Sequence, residues 1–160
     1  MRSSGSVRGY SLEKKTILCN EGREATTGTA VRLDDGTIFV DQSQTATTIV
    51  FPVSGLHVGD RLEKFRLVGA VGATTSNSTT VDADLRTVTG GAGAVTDASV
   101  GAITQVDTDA DVALDSEKTG LNTLVATDYQ YYVLVTITTA ANAACDVFIT
   151  GVEVDVNNSL

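Results

Sequence analysis

Strict alternation of apolar and polar positions is the clearest signal in this chain. Over residues 79–89, Val81, Ala83 and Leu85 fall on one face and Asp82, Asp84 and Arg86 on the other, the period of two expected of a half-buried strand. Residues 62–71 repeat the pattern, with Phe65, Leu67, Gly69 and Val71 opposite Lys64 and Arg66. Tyr129 to Thr138 sets Tyr129, Tyr131, Val133, Val135 and Ile137 on one face, leaving Tyr132 on the other. Cys145 to Val156 sets Phe148, Val152, Val154 and Val156 opposite Glu153 and Asp155. Thr47 to Val53 is a further strand, in which Pro52 argues for an edge or a strand end because it has no amide to donate.

Shorter elements complete the pattern. Thr29 to Leu33 and Thr37 to Val40 flank Asp34-Asp35-Gly36, a strong hairpin signal. Ala102 to Val106 and Leu121 to Val125 read as short strands. The segments 41–45, 54–60, 72–78 and 139–144 read as turns or links, 90–100 as a flexible Gly-rich loop and 107–120 as an acidic loop. About eight strands with no helical period and no internal repeat predict an all-β chain, an antiparallel two-sheet β-sandwich of jelly-roll-like topology. The sandwich is expected over 46–160, preceded by an extended N-terminal arm over 1–45 that carries the hairpin at 29–40.

Composition reinforces this picture. Val and Thr fill 45 of the 160 positions, and their stiff β-branched side chains suit a pleated sheet. Aromatic residues make up only 5% and there is no Trp, so aliphatic side chains and Thr methyls must build most of the core. Cys19 and Cys145 fit neither a disulfide framework nor a zinc pattern. Two unpaired thiols are expected, with one bridge from arm to sandwich as the alternative. No apolar run is long enough for a membrane helix and no signal-like h-region follows Met1, so synthesis in the cytosol is expected.

Charge divides the chain. Residues 1–32 carry six bases against three acids, a balance of +3, while the remaining 128 residues carry five against seventeen, a balance of −12. Such an acidic body repels nucleic acid and anionic membrane, so neither is expected as a partner. Residues 1–28 show no sustained period, only an apolar island at Ile17-Leu18 among Arg2, Arg8, Lys14, Lys15 and Arg23. They read either as a loose tail or as an arm that orders on an acidic partner. Fully extended, they would reach about 90 Å.

Candidate chemistry is sparse. His57, the only histidine, lies in a turn with no serine or cysteine tied to it by a recognisable motif, so it reads as a solvated or capping loop residue and no catalytic residue is expected. No phosphate loop or convincing dinucleotide fingerprint is present, and no cofactor is expected. Asp107, Asp109 and Asp111 match positions 1, 3 and 5 of a calcium-binding EF-hand loop, but Val112 replaces the turn glycine and Lys118 the bidentate glutamate. A solvated acidic loop is the better reading, with these three aspartates kept as a weak metal candidate. The three tyrosines at 129, 131 and 132 invite a sugar-stacking role, although Tyr129 and Tyr131 share a face with core residues.

Several runs together resemble the β-sandwich decoration, or cement, proteins of tailed-phage capsids. They are Leu56-His-Val-Gly-Asp60-Arg-Leu-Glu-Lys-Phe65-Arg-Leu-Val-Gly69, Asp82-Ala-Asp-Leu-Arg86, Asp128-Tyr-Gln-Tyr-Tyr-Val-Leu-Val135 and Ile149-Thr-Gly-Val-Glu-Val-Asp-Val156. The resemblance spans about residues 50–156 and is one of pattern and composition. It implies a virion structural protein on the capsid exterior, with the major capsid protein as partner and a homo-oligomer, commonly a trimer, as the bound form. The arm residues Arg2, Arg8, Lys14, Lys15, Ile17, Leu18 and Arg23 would then bridge neighbouring capsid subunits. The alternative is a tail- or fibre-associated sandwich or a carbohydrate-binding module that recognises a host surface.

Overall fold

The computed structural model describes residues 13–19, 21–24, 30–32, 36–91 and 94–158. All regular structure among them is strand: β1 (Glu13–Cys19), β2 (Arg23–Glu24), β3 (Ala30–Arg32), β4 (Ile38–Val40), β5 (Thr47–Val53), β6 (Arg61–Val71), β7 (Thr79–Gly91), β8 (Ala94–Ala102), β9 (Val106–Thr108), β10 (Val112–Lys118), β11 (Thr123–Leu124), β12 (Tyr129–Thr139) and β13 (Val147–Asn158). They form two antiparallel sheets. The first runs β10-β6-β13-β4-β3, with β1 also on β13 and β11 on β6; the second runs β2-β5-β12-β7-β8, with β9 also on β7. The expected all-β sandwich is thus the observed fold. No described helix is long and apolar enough to cross a membrane.

The core lies between the sheets and follows the alternation. Val81, Ala83 and Leu85 of β7 and Val133, Val135 and Ile137 of β12 are buried, facing Phe65 and Leu67 of β6 and Val152, Val154 and Val156 of β13. Among the described residues, only Phe51 and Phe65 supply fully buried rings, so the aliphatic core expected from composition is what forms.

Two bulges correct the simple alternation. The β13–β6 pairing shifts register between Ile149 and Gly151, which flips the phase of the strand. Val147 and Ile149 are therefore buried upstream of the bulge and Val152 downstream, while Phe148, expected inside, lies half-buried on the outer face against Phe39, ring centroids 4.9 Å apart. A second shift between Asp155 and Val156 lets Leu62 and Phe65, three residues apart, both point inward.

Other differences concern strands read as loops. Residues 94–100, part of the 90–100 segment expected as a flexible loop, lie in the nine-residue strand β8 because Asp84 to Gly91 of β7 offers it a complementary edge. The acidic 107–120 segment is largely β9 and β10, the latter paired along β6 from Val71 to Phe65. The short strand expected over Leu121 to Val125 shrinks to β11, and Ile103 to Gln105 is not strand. The aperiodic N-terminal region contributes β1, laid along β13 from Asn158 to Val152, and β2, laid on β5. The hairpin at 29–40 forms as β3 and β4, with Ala30 opposite Val40; its Leu33 to Asp35 turn lies outside the described residues.

Candidate functional site

A candidate site lies at one end of the sandwich, where the 54–60 link between β5 and β6 meets the 125–128 link into β12. Left-handed backbone at Gly55 (φ 77°), Gly59 (φ 94°) and Asp128 (φ 67°) makes these links tight. A non-glycine residue there carries a modest cost that the surrounding bonds must cover, a feature that often marks binding sites.

The two links are stitched together. Gly59 N donates to Val125 O at 2.9 Å, and Val125 N donates to Asp60 O at 2.7 Å. Asp60, only 3% exposed, accepts the His57 amide on Oδ2 at 2.9 Å, so its buried carboxylate is a local cap. The His57 ring is 79% exposed and lies 3.7 Å from Asp60 through Nδ1. From the other side the buried Tyr131 hydroxyl donates to Leu124 O at 3.5 Å and accepts from Ala126 N at 3.4 Å.

This frame borders a groove of about 420 Å³ lined by Pro52, Leu56, Val58, Asp128, Tyr129 and Gln130 among others. Tyr129 shares the inward face with Tyr131, as the alternation predicts, but stands where β12 begins and is 46% exposed, whereas Tyr131 is 6% exposed. The two rings are 6.4 Å apart at 30°. Thr127, Asp128 and Gln130, all exposed, line the same groove. An aromatic face bordered by hydrogen-bonding groups can stack the C–H face of a sugar ring and bond its hydroxyls.

Tyr132 falls on the opposite face as expected, but it is half-buried and donates to Asp97 Oδ1 at 2.9 Å. Burial and the Asp97 contact hold its phenol above the ordinary value. It belongs to a surface network in which Arg86 Nε contacts Asp97 at 3.0 and 3.2 Å and Arg86 Nη1 reaches Asp84 at 2.6 Å. The outer face of the other sheet carries a parallel network: Arg66 bridges Asp115 and Glu153, while Lys64 reaches Glu117 and Asp155.

A larger groove, about 610 Å³, runs over Gly69, Ala70 and Ala113 between Asp111, Asp146 and Phe148. Phe148 already packs on Phe39, and burial together with Asp111 holds the Asp146 carboxyl above its ordinary range.

The remaining candidates stay dispersed. Asp107 and Asp109 are exposed, whereas Asp111 Oδ1 accepts the Ala73 amide at 3.2 Å. Among the described residues no group of three His, Cys, Asp or Glu side chains could hold a metal ion. Arg2 and Arg8 lie outside the described residues. Lys14 and Lys15 sit on β1 opposite Asn157 and Val156, Ile17 packs on the core, Leu18 is 62% exposed and Arg23 is exposed on β2. Cys145 is a buried free thiol donating to Asn77 O at 3.4 Å.

No protein-family pattern matches the sequence. No curated protein matches it either. Solved structures do share the fold. The CBM22-1–GH10 modules of endo-1,4-β-D-xylanase 10B from Clostridium thermocellum, complexed with xylohexaose, align at a TM-score of 0.50 and 14% identity over 94% of this chain; the chain spans only 29% of that one. The low-affinity xylan-binding module CBM86 from Roseburia intestinalis aligns at 0.47 and 10% identity, over 90% of this chain and 96% of that one. A CBM22 xylan-binding domain aligns at 0.43 and 16% identity, over 98% and 92%. At these identities the likeness is one of fold: the chain is a β-sandwich of the kind that carbohydrate-binding modules share.

Proposed function

We propose that this chain is a non-catalytic carbohydrate-recognition module that holds a polysaccharide against Tyr129. The observation that carries this reading is the exposed Tyr129 ring, seated in a groove fixed by bonds between two loops and edged by Thr127, Asp128 and Gln130. An open groove that leaves much of a ring exposed suits a weak, chain-binding module better than an enclosed small-molecule pocket. Xylo-oligosaccharides are the first ligands to test, because the xylanase structure sharing this fold holds xylohexaose. A glycan array probed with the soluble protein tests the reading. Binding to plant-type polysaccharides that Tyr129→Ala removes supports it, and an array with no signal at about 100 μM protein, a concentration that captures even weak modules, contradicts it.

A second reading, the phage-capsid decoration protein, draws support from Leu18, an apolar side chain left 62% exposed on β1 in the most basic part of the chain. Many weak contacts repeated over a shell would give such a protein its hold. Co-sedimentation with empty shells, abolished by Leu18→Asp, separates this reading from sugar recognition.

A further inference from the structure

Among the described residues, the sheet edges other than β8 are short or carry several charges. β2, β3, β9 and β11 are two or three residues long, too short to template another strand. The longer edges carry charge in sequence: Glu13, Lys14 and Lys15 on β1, and Asp115, Glu117 and Lys118 on β10. β8 differs. It spans nine residues, pairs only with β7 among the described residues, and contains no Lys, Arg or Pro. Ala94 to Ser99 are all exposed, with Val95 at 72%.

The strand is nevertheless held in place. Its single charge, Asp97, is gripped by Arg86 at 3.0 Å and by the Tyr132 hydroxyl at 2.9 Å, and Ser99 Oγ donates to Asp84 Oδ1 at 2.5 Å. An edge that is long, neutralised and fixed is a pre-organised template for strand addition.

We infer that β8 pairs antiparallel with β8 of a second copy, joining the two sandwiches through a continuous sheet about a two-fold axis at Ala98. The sequence is self-complementary in that register. Asp97 faces Ser99 of the second copy, a carboxylate opposite a hydroxyl, and the bulge at Val100, where the β7 register shifts, bounds the regular pairing around Ala98, so no two bulky side chains oppose within it. Such a contact is isologous and consumes both β8 edges, giving a closed dimer rather than a fibre. Both copies carry a net charge of −9, but the interface brings in only Asp97, already matched by Arg86. The remaining repulsion is long-range and is screened by salt.

Sedimentation of the full chain tests the pairing. At about 100 μM a dimer is expected, and it tightens between about 0.05 and 0.5 M NaCl as the Debye length shrinks. Thr96→Lys, which adds an edge charge, is expected to give a monomer with an unchanged melting temperature. In a Cys19→Ser background, Ala98→Cys is expected to cross-link with its own mate under mild oxidation, because the axis juxtaposes the two positions, whereas Val95→Cys is not. A wild-type monomer at both salt concentrations, a Thr96→Lys dimer, or cross-linking of Val95→Cys as readily as Ala98→Cys would overturn the inference.

Discussion

The Tyr131 hydroxyl accepts the Ala126 amide at 3.4 Å across the turn that leads into β12, so a core tyrosine holds the loop beside the groove. Tyr131→Phe keeps the buried ring and removes this tie together with the donation to Leu124 O. A loss of about 1 kcal/mol in stability is expected, with faster hydrogen exchange at Ala126. Oligosaccharide affinity should fall by a few-fold, less than for Tyr129→Ala, as isothermal titration would report.

The two arginine networks make part of the fold's stability sensitive to acid. Hydrogen bonds from Arg86 and Arg66 hold Asp97 and Asp115 below the ordinary carboxylate value of 3.8. A depressed folded pKa contributes stability above the unfolded value, and that contribution is lost as pH falls through the folded one. The melting temperature should therefore drop below about pH 4, and Asp97→Asn and Asp115→Asn should each make that acid drop shallower. Calorimetric scans from neutral to acid pH check this.

Asp146 has the opposite sign. Burial first, then the Asp111 charge, raises its pKa above 3.8, so its ionised form costs stability above the folded pKa and the cost is gone below the unfolded one. Asp146→Asn should raise the melting temperature at pH 7, with the gain shrinking towards acid. Its backbone carbonyl, which accepts Gly72 N at 2.8 Å, is unaffected by the change.

Gly69 marks a close approach of β6 to β13. A Cβ there would lie 1.9 Å from Phe148 O, a backbone atom that cannot turn aside. Gly69→Ala should separate the strands at the Ile149 bulge and destabilise the fold by more than about 3 kcal/mol, the scale of a large core defect. Gly90→Ala, with no atom within 4 Å of the added methyl, should be nearly silent. Denaturant midpoints of the two variants make the comparison.

How far the sequence could be read depended on whether a strand obeyed simple alternation. β7 and β12 do, and the burial of Val81, Ala83, Leu85, Val133, Val135 and Ile137 follows from spacing alone. β13 does not, because the bulge after Ile149 inverts the phase and carries Phe148 to the surface, a shift that depends on pairing with β6. β8 and β10 were hidden for a related reason: Gly, Ala and Asp are poor strand formers, and these segments become strands because long neighbours offer them an edge. At the site, the tyrosines were visible but Tyr129's exposure was not. It depends on where β12 begins relative to the links around it, which no local pattern encodes. The Gly55 and Gly59 turn signals did point to the link that frames the groove.

Titration of xylohexaose into the full chain and into Tyr129→Ala is the most direct test of the central claim. Measurable binding by the native chain is expected, with a loss of at least about tenfold in the variant, equivalent to about 1.4 kcal/mol, and both proteins melting at the same temperature. Equal affinity in the two, with the fold intact, would contradict that claim.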